Sequence, residues 1–165
     1  MTTTIVNDPI VLPSRALEDY YESVELPKNG FTIISGPQGS GKSYYVEHPV
    51  INWALKEELP TILINFKMVR ILSPRGNTHP WRLEDTTVDA LLNEYMTKLE
   101  TMKGEKVFIV DEPAAFYELE SWREFFDKVI HDDTTTLVIS TQFPELLPPP
   151  DLNIIMNGVS VANED

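Results

Sequence analysis

Four short, mostly apolar runs punctuate the chain: Phe31-Thr32-Ile33-Ile34-Ser35, Thr61-Ile62-Leu63-Ile64-Asn65-Phe66, Lys106-Val107-Phe108-Ile109-Val110 and Thr136-Leu137-Val138-Ile139-Ser140. A strand covered on both faces reads as such a continuous run, whereas a half-solvated strand alternates. Between the runs the period changes. Residues 84–101 set Val88, Leu91, Leu92, Tyr95 and Leu99 on one helical face. Residues 114–130 carry Phe116, Leu119, Trp122, Phe125, Phe126 and Val129 at helical spacing, an aromatic stripe that reads as core. Residues 43–59 have helical composition interrupted by Pro49, which predicts either a kink or a restart with the proline in the first turn. Residues 67–83, with Pro74, Gly76 and Pro80, read as a long loop of the kind that serves function or moves. Pro144 and Pro148-Pro149-Pro150 force an extended surface loop. A last short strand is expected around Ile154-Ile155 or Val159–Val161. Residues 1–30, with Pro9, Pro13 and Pro27, read as an irregular lead-in holding a short helix at 15–21, ahead of one domain over 31–165. Strands alternating with helices imply an α/β fold with a parallel sheet, its ligand at the carboxyl ends of the strands.

The first run leads directly into Gly36-Pro37-Gln38-Gly39-Ser40-Gly41-Lys42-Ser43, which fits G-x-x-x-x-G-K-[ST]. Strand, glycine-rich turn and helix start form the required context of a phosphate-cradling P-loop. Gly36, Gly39 and Gly41 let successive amides converge on one anion, and the helix start adds a positive dipole end. Lys42 is expected to neutralise the β- and γ-phosphates, and the Ser43 hydroxyl to be a hard oxygen ligand for Mg²⁺. These residues predict binding of a nucleoside triphosphate.

The third run ends in Asp111-Glu112. Asp111 is expected to hold Mg²⁺ opposite Ser43, and Glu112 to orient and deprotonate an attacking water. A kinase needs the aspartate but not a base that activates water, so Glu112 favours hydrolysis. Gln142 lies just past the fourth run. Were that strand to sit between the P-loop strand and the Asp-Glu strand, its amide would face the γ-phosphate or the water and report nucleotide state. Arg70, Arg75, Arg82 and Arg123 are candidates for an arginine supplied in trans, with Arg75 the first choice because it lies on the long loop. His79 and His131 lack ligand partners at metal-binding spacing and read as structural. Asp132-Asp133 reads as a solvated turn.

Charge sharpens the picture. The net charge is −13, yet residues 1–83 hold 8 acids and 8 bases while residues 84–165 hold 18 acids and 5 bases. Between Leu59 and Leu83 there is no carboxylate, only Lys67, Arg70, Arg75 and Arg82. A polyanion would be repelled by the second half and met only by a locally basic loop or pore. The absence of cysteine excludes disulfides and thiolate zinc sites and agrees with a reducing cytoplasm. No apolar stretch is long enough to span a membrane, and the N-terminus is not a signal peptide.

Gly36–Ser43, Val107–Glu112 and Val138-Ile139-Ser140-Thr141-Gln142-Phe143-Pro144 together resemble the FtsK/HerA superfamily of P-loop ATPases, the Thr-Gln-x-Pro element being the distinctive part. Gly41-Lys42-Ser43-Tyr44-Tyr45, with Ala54-Leu55 and Ile62-Leu63-Ile64-Asn65, also looks like the Zot branch of filamentous-phage assembly proteins. The small size looks like the genome-packaging ATPases of viruses in the same superfamily. The resemblance implies a three-layer sandwich on a mainly parallel five-stranded sheet of order 5-1-4-3-2. It also implies ATP and Mg²⁺ as cofactors, and a homo-oligomeric ring, hexamer or pentamer, that moves DNA through its centre. Three departures stand against it: no membrane span of the Zot type, no DNA-tracking domain, and a strongly acidic second half.

The leading expectation is therefore an ATP-hydrolysing translocase that packages viral double-stranded DNA with capsid or portal proteins, in host cytoplasm or virion and not secreted. The alternative is a Zot-like assembly ATPase acting on coat or membrane proteins. A small P-loop kinase is a third reading, opposed by Glu112 and Gln142.

Overall fold

The computed structural model describes residues 10–14, 25–37, 39–65 and 85–160. Its single domain is built on a six-stranded sheet of β1 (Ile10–Ser14), β2 (Phe31–Ser35), β3 (Thr61–Asn65), β4 (Lys106–Asp111), β5 (Thr135–Thr141) and β6 (Leu152–Ser160). The strand order is β1-β6-β2-β5-β4-β3, and every neighbouring pair is parallel. Counted from Phe31, this is the expected 5-1-4-3-2 order.

The lead-in differs from expectation. Ile10–Ser14 forms a sixth strand on the outer edge of β6, with Ile10 opposite Ile154 and Leu12 opposite Met156. The register shifts between Leu12 and Ser14, on either side of Pro13. A proline cannot donate to a ladder, so an edge strand with an irregularity is where one is tolerated. The helix expected at 15–21 and the loop expected at 67–83 lie outside the described residues. The last strand runs unbroken across Ile154, Ile155 and Val159 rather than occupying one of two short alternatives.

Side chains alternate across each central strand, and both faces are apolar. Ile34, Val107, Ile109, Val138, Ile154 and Met156 face one layer, while Phe31, Ile33, Phe108, Val110, Leu137 and Ile139 face the other. The first layer is covered by α1. It opens as Lys42–Tyr45, passes through a π-helical turn at Val46–Val50 and continues as Ile51–Lys56. Pro49 sits inside that wider turn and not in the first turn of a restarted helix, and Tyr45, Val46, Val50 and Trp53 point into the core. The second layer is covered by α2 (Asp85–Thr101) and α3 (Glu120–Ile130). Val88, Leu92 and Leu99 of α2 pack with Trp122, Phe125 and Val129 of α3.

The expected single helix over 114–130 is broken. Ala114–Phe116 forms a 3₁₀ turn, Leu119 is extended (φ −70°, ψ 136°), and α3 begins at Glu120. The aromatic stripe is nonetheless core: Phe108 and Phe125 meet edge-on at 6.0 Å, and Trp122 stacks on Phe126 at 6.0 Å.

At the opposite end of the sheet from the strands' carboxyl ends, Lys106 is buried but fully engaged. Its ammonium donates to the Gly104 carbonyl (3.1 Å) and Thr134 Oγ1 (2.9 Å), and Asp132 lies 3.7 Å away. The Asp132 turn is thus a packed feature as well as a solvated one. Burial raises the Asp132 carboxyl, but hydrogen bonds from the Thr134 hydroxyl and amide and the charge of Lys106 outweigh it and hold the group below its ordinary value.

Phe125→Ala removes a fully buried ring and is expected to cost about 3–5 kcal/mol in urea unfolding. Leu55→Ala, at a position 66% exposed, should stay within about 0.5 kcal/mol. Because the folded pKa of Asp132 is depressed, its contribution is present above the ordinary carboxylate range and lost as pH falls through the folded value. Asp132→Asn should remove that part of the acid-side slope of stability.

Candidate nucleotide site

The carboxyl ends of β2, β4 and β5 are in register: Ser35 is opposite Thr141, and Asp111 is opposite Ser140. The loop from Gly36 rises from this edge and enters α1. Gly36 is required by close approach, since a Cβ there would come 2.5 Å from the Met156 carbonyl oxygen and 2.7 Å from Ser40 Oγ. Gly41 adopts φ 94°, ψ 13° at the helix N-cap, a left-handed conformation that side chains disfavour. Together they turn the chain so that α1 begins directly over the ends of β4 and β5. The amides of a helix's first turn have no partner inside the helix and favour an anion.

Lys42 is 4% exposed. Its ammonium donates to the Gly36 carbonyl (2.8 Å) and the Pro37 carbonyl (3.0 Å), and forms an ion pair with Glu112 Oε1 at 3.0 Å. The Glu112 contact is one of charge at short range and not an aligned hydrogen bond, for Oε1 has no hydrogen-bond partner. Next along the helix, Ser43 Oγ donates to Asp111 Oδ2 at 3.0 Å. The other oxygen of the fully buried Asp111 accepts from Ser140 Oγ.

Glu112 sits at φ 53°, a left-handed backbone that costs a non-glycine residue about 1–3 kcal/mol and clusters at functional sites. Its amide lies 3.0 Å from both the carbonyl and the Oγ of Ser140, which pins the turn to β5. Ser140 therefore does two things at once: its hydroxyl donates to Asp111 and accepts from Glu112. Tyr117 approaches the same corner. Its buried hydroxyl lies beside Thr141 without an aligned hydrogen bond. Burial, then the charges of Glu112 and Glu145, push the phenol up to about 12 against a pull from Thr141, so it stays protonated at neutral pH.

The structure therefore brings Gly36, Pro37, Ser40, Gly41, Lys42, Ser43, Asp111 and Glu112 into one constellation. Gln142 is half-buried just beyond β5, and β5 does lie between β2 and β4. Gly39 has φ 82° in the loop, while Gln38, Arg70, Arg75, Arg82 and His79 lie outside the described residues. Arg123 is exposed on α3 and paired with Glu118 at 3.3 Å, and exposed His131 contacts the Asp127 carbonyl at 2.7 Å. The sequence motifs assign no role to Ser140 or Tyr117. A hydroxyl at the carboxyl end of an otherwise apolar strand was the available signal for Ser140.

The donor set suits magnesium. Ser43 and Asp111 offer hard oxygens, and no cluster of three or more acids, histidines or cysteines forms a cage among the described residues. Mg²⁺ is held in this sparse way, by one or two protein oxygens with phosphates and water. No described helix is long and apolar enough to cross a membrane.

No protein-family model and no curated protein matches the chain. Among solved structures it is similar to C. elegans PCH-2, with a TM-score of 0.53 and 11% identity over 85% of this chain and 39% of that one. Rhizobiales Trip13 aligns with a TM-score of 0.49 and 14% identity over 79% of this chain and 46% of that one. Aeropyrum pernix Orc1, solved in complex with DNA, aligns with a TM-score of 0.48 and 16% identity over 82% and 41%. In each case the chain spans less than half of the other protein. The likeness is one of fold, and the fold is that of a P-loop nucleoside triphosphatase.

Ser140→Ala deprives the buried Asp111 carboxylate of one of its two hydroxyl donors. It should cost about 1–3 kcal/mol in urea unfolding, and Ser140→Thr, which keeps the hydroxyl, should recover much of that loss.

Proposed function

We propose that this chain hydrolyses ATP to translocate nucleic acid, in the manner of viral genome-packaging ATPases. The observation that carries the reading is the convergence of Lys42 on Glu112 at 3.0 Å and Ser43 on Asp111 at 3.0 Å beneath a helix start. A triphosphate seated on the loop amides competes with Glu112 for the Lys42 ammonium. Once Lys42 turns to the phosphates, the Glu112 carboxylate is released to accept a proton from water, and its constrained backbone keeps it aimed at the cradle. Mg²⁺ held by Ser43 and, through water, by Asp111 would supply charge neutralisation at the β- and γ-phosphates. Gln142, at the end of the strand between the P-loop and the acids, would couple loss of the γ-phosphate to the segment that follows it.

That segment supports an assembly of subunits. Phe143 and Leu146 are exposed apolar side chains in the segment that follows Gln142, and a neighbouring copy in a ring would cover them. Arg75 of such a neighbour would complete the site at the transition state. Double-stranded DNA would meet the locally basic stretch of residues 59–83, and the acidic second half would face away from it or toward capsid or portal proteins. The setting would be host cytoplasm or virion. A Zot-like assembly ATPase is the second reading, favoured by the net charge of −13 lying wholly in residues 84–165, a surface suited to protein and not DNA.

Phosphate release measured with and without double-stranded DNA tests the proposal. DNA should stimulate turnover and Mg²⁺-ATP should drive assembly; a monomer whose turnover ignores DNA contradicts translocation. Lys42→Ala should abolish binding or hydrolysis. Glu112→Gln should retain ATP binding while lowering kcat about 10²- to 10⁴-fold. A Glu112→Gln enzyme with parental turnover would show that the base lies elsewhere, and a phosphorylated acceptor in place of free phosphate would identify a kinase.

A further inference from the structure

Successive residues of α1 divide the first turn by direction. Lys42 and Ser43 reach toward the acids of β4, Tyr45 and Val46 enter the core, and Tyr44, Glu47 and His48 are exposed. Tyr44 is 47% exposed although it directly follows the residue that faces Asp111. Residues four apart share a helical face, and the Tyr44 and His48 rings lie 4.3 Å apart at an interplanar angle of 35°. Two aromatic rings thus form a tilted, solvent-facing stack one residue beyond the phosphate-binding set.

The polarity of the site says what passes there. The γ end of a bound triphosphate is directed at Glu112, Asp111 and Ser140, because Lys42 and Ser43 point that way. On the nucleotide-binding reading, the α-phosphate and the nucleoside would leave on the side away from β4, across the outer surface of the first turn. A purine crossing that surface needs a π-face to shed water against, and stacking on an aromatic ring supplies it.

We propose that Tyr44 and His48 form the platform on which the nucleobase of the bound nucleoside triphosphate stacks. The inference rests on the nucleotide-binding reading of Gly36–Ser43. Stacking reads a π-face and not a hydrogen-bond pattern, so the platform accepts ATP and GTP alike.

Calorimetric titration of the full chain with Mg²⁺-ATP, Mg²⁺-GTP and Mg²⁺-tripolyphosphate tests it, because tripolyphosphate has no base. ATP and GTP should bind with similar affinity, and both more tightly than tripolyphosphate. Tyr44→Ala should weaken ATP about 5- to 150-fold and leave tripolyphosphate unchanged. Tyr44→Phe should bind ATP within about twofold of the parent, as the π-face is retained. His48→Ala should fall between Tyr44→Ala and the parent. Unchanged ATP affinity in Tyr44→Ala would overturn the platform while leaving the phosphate cradle standing. A parent chain that binds neither ATP nor tripolyphosphate would overturn the cradle and the platform together.

Discussion

A buried carboxylate with two hydroxyl partners organises this molecule. Asp111 has no exposed surface, and its two oxygens are met separately by Ser43 from α1 and Ser140 from β5. An ionised carboxylate is costly to remove from water unless its lone pairs are satisfied, so the three elements must meet at one point. That requirement draws the helix start down onto the sheet edge. It also sets Lys42, the residue before Ser43, against Glu112, the residue after Asp111. The cradle and the acids are one unit because they share this junction.

The parallel sheet makes the junction possible. With every strand running the same way, the carboxyl ends of β2, β5 and β4 lie side by side, and Ser35, Thr141, Ser140 and Asp111 fall within one register step of one another. The crossover helices stay on the two faces and leave that edge open. The same topology explains why Glu112 tolerates a left-handed backbone. Its amide is fastened to Ser140 from the neighbouring strand, and the strain is held by a contact that also supports Asp111.

Much of this was legible in the residues. Glycines after a β-branched run and before Lys42-Ser43 have few other uses, so the strand, turn and helix start could be placed from composition alone. The apolar runs ending in Asp111 and Ser140 marked buried strands, and their order followed from the resemblance and not from the runs themselves. What escaped was non-local. Ile10–Ser14 follows Pro9 and contains Pro13, so it does not read as a strand, and it becomes one by pairing along the edge of β6. The helical spacing of residues 114–130 spans a break at Leu119 because the 3₁₀ turn and α3 both face the same core. Ser140 carries two contacts that depend on which strand lies beside it, so its hydroxyl marks a polar strand end without reporting its partners.

Nucleotide binding is proposed to exchange the loop carbonyls and Glu112 around Lys42 for phosphate oxygens. A crystal structure with Mg²⁺ and a non-hydrolysable ATP analogue tests it most directly. The expected result is the Lys42 ammonium on the β- and γ-phosphates, the metal on Ser43 Oγ, and the Glu112 carboxylate turned to a water in line with the γ-phosphate. Triphosphate bound elsewhere, with Lys42 still on Gly36, Pro37 and Glu112, would contradict it.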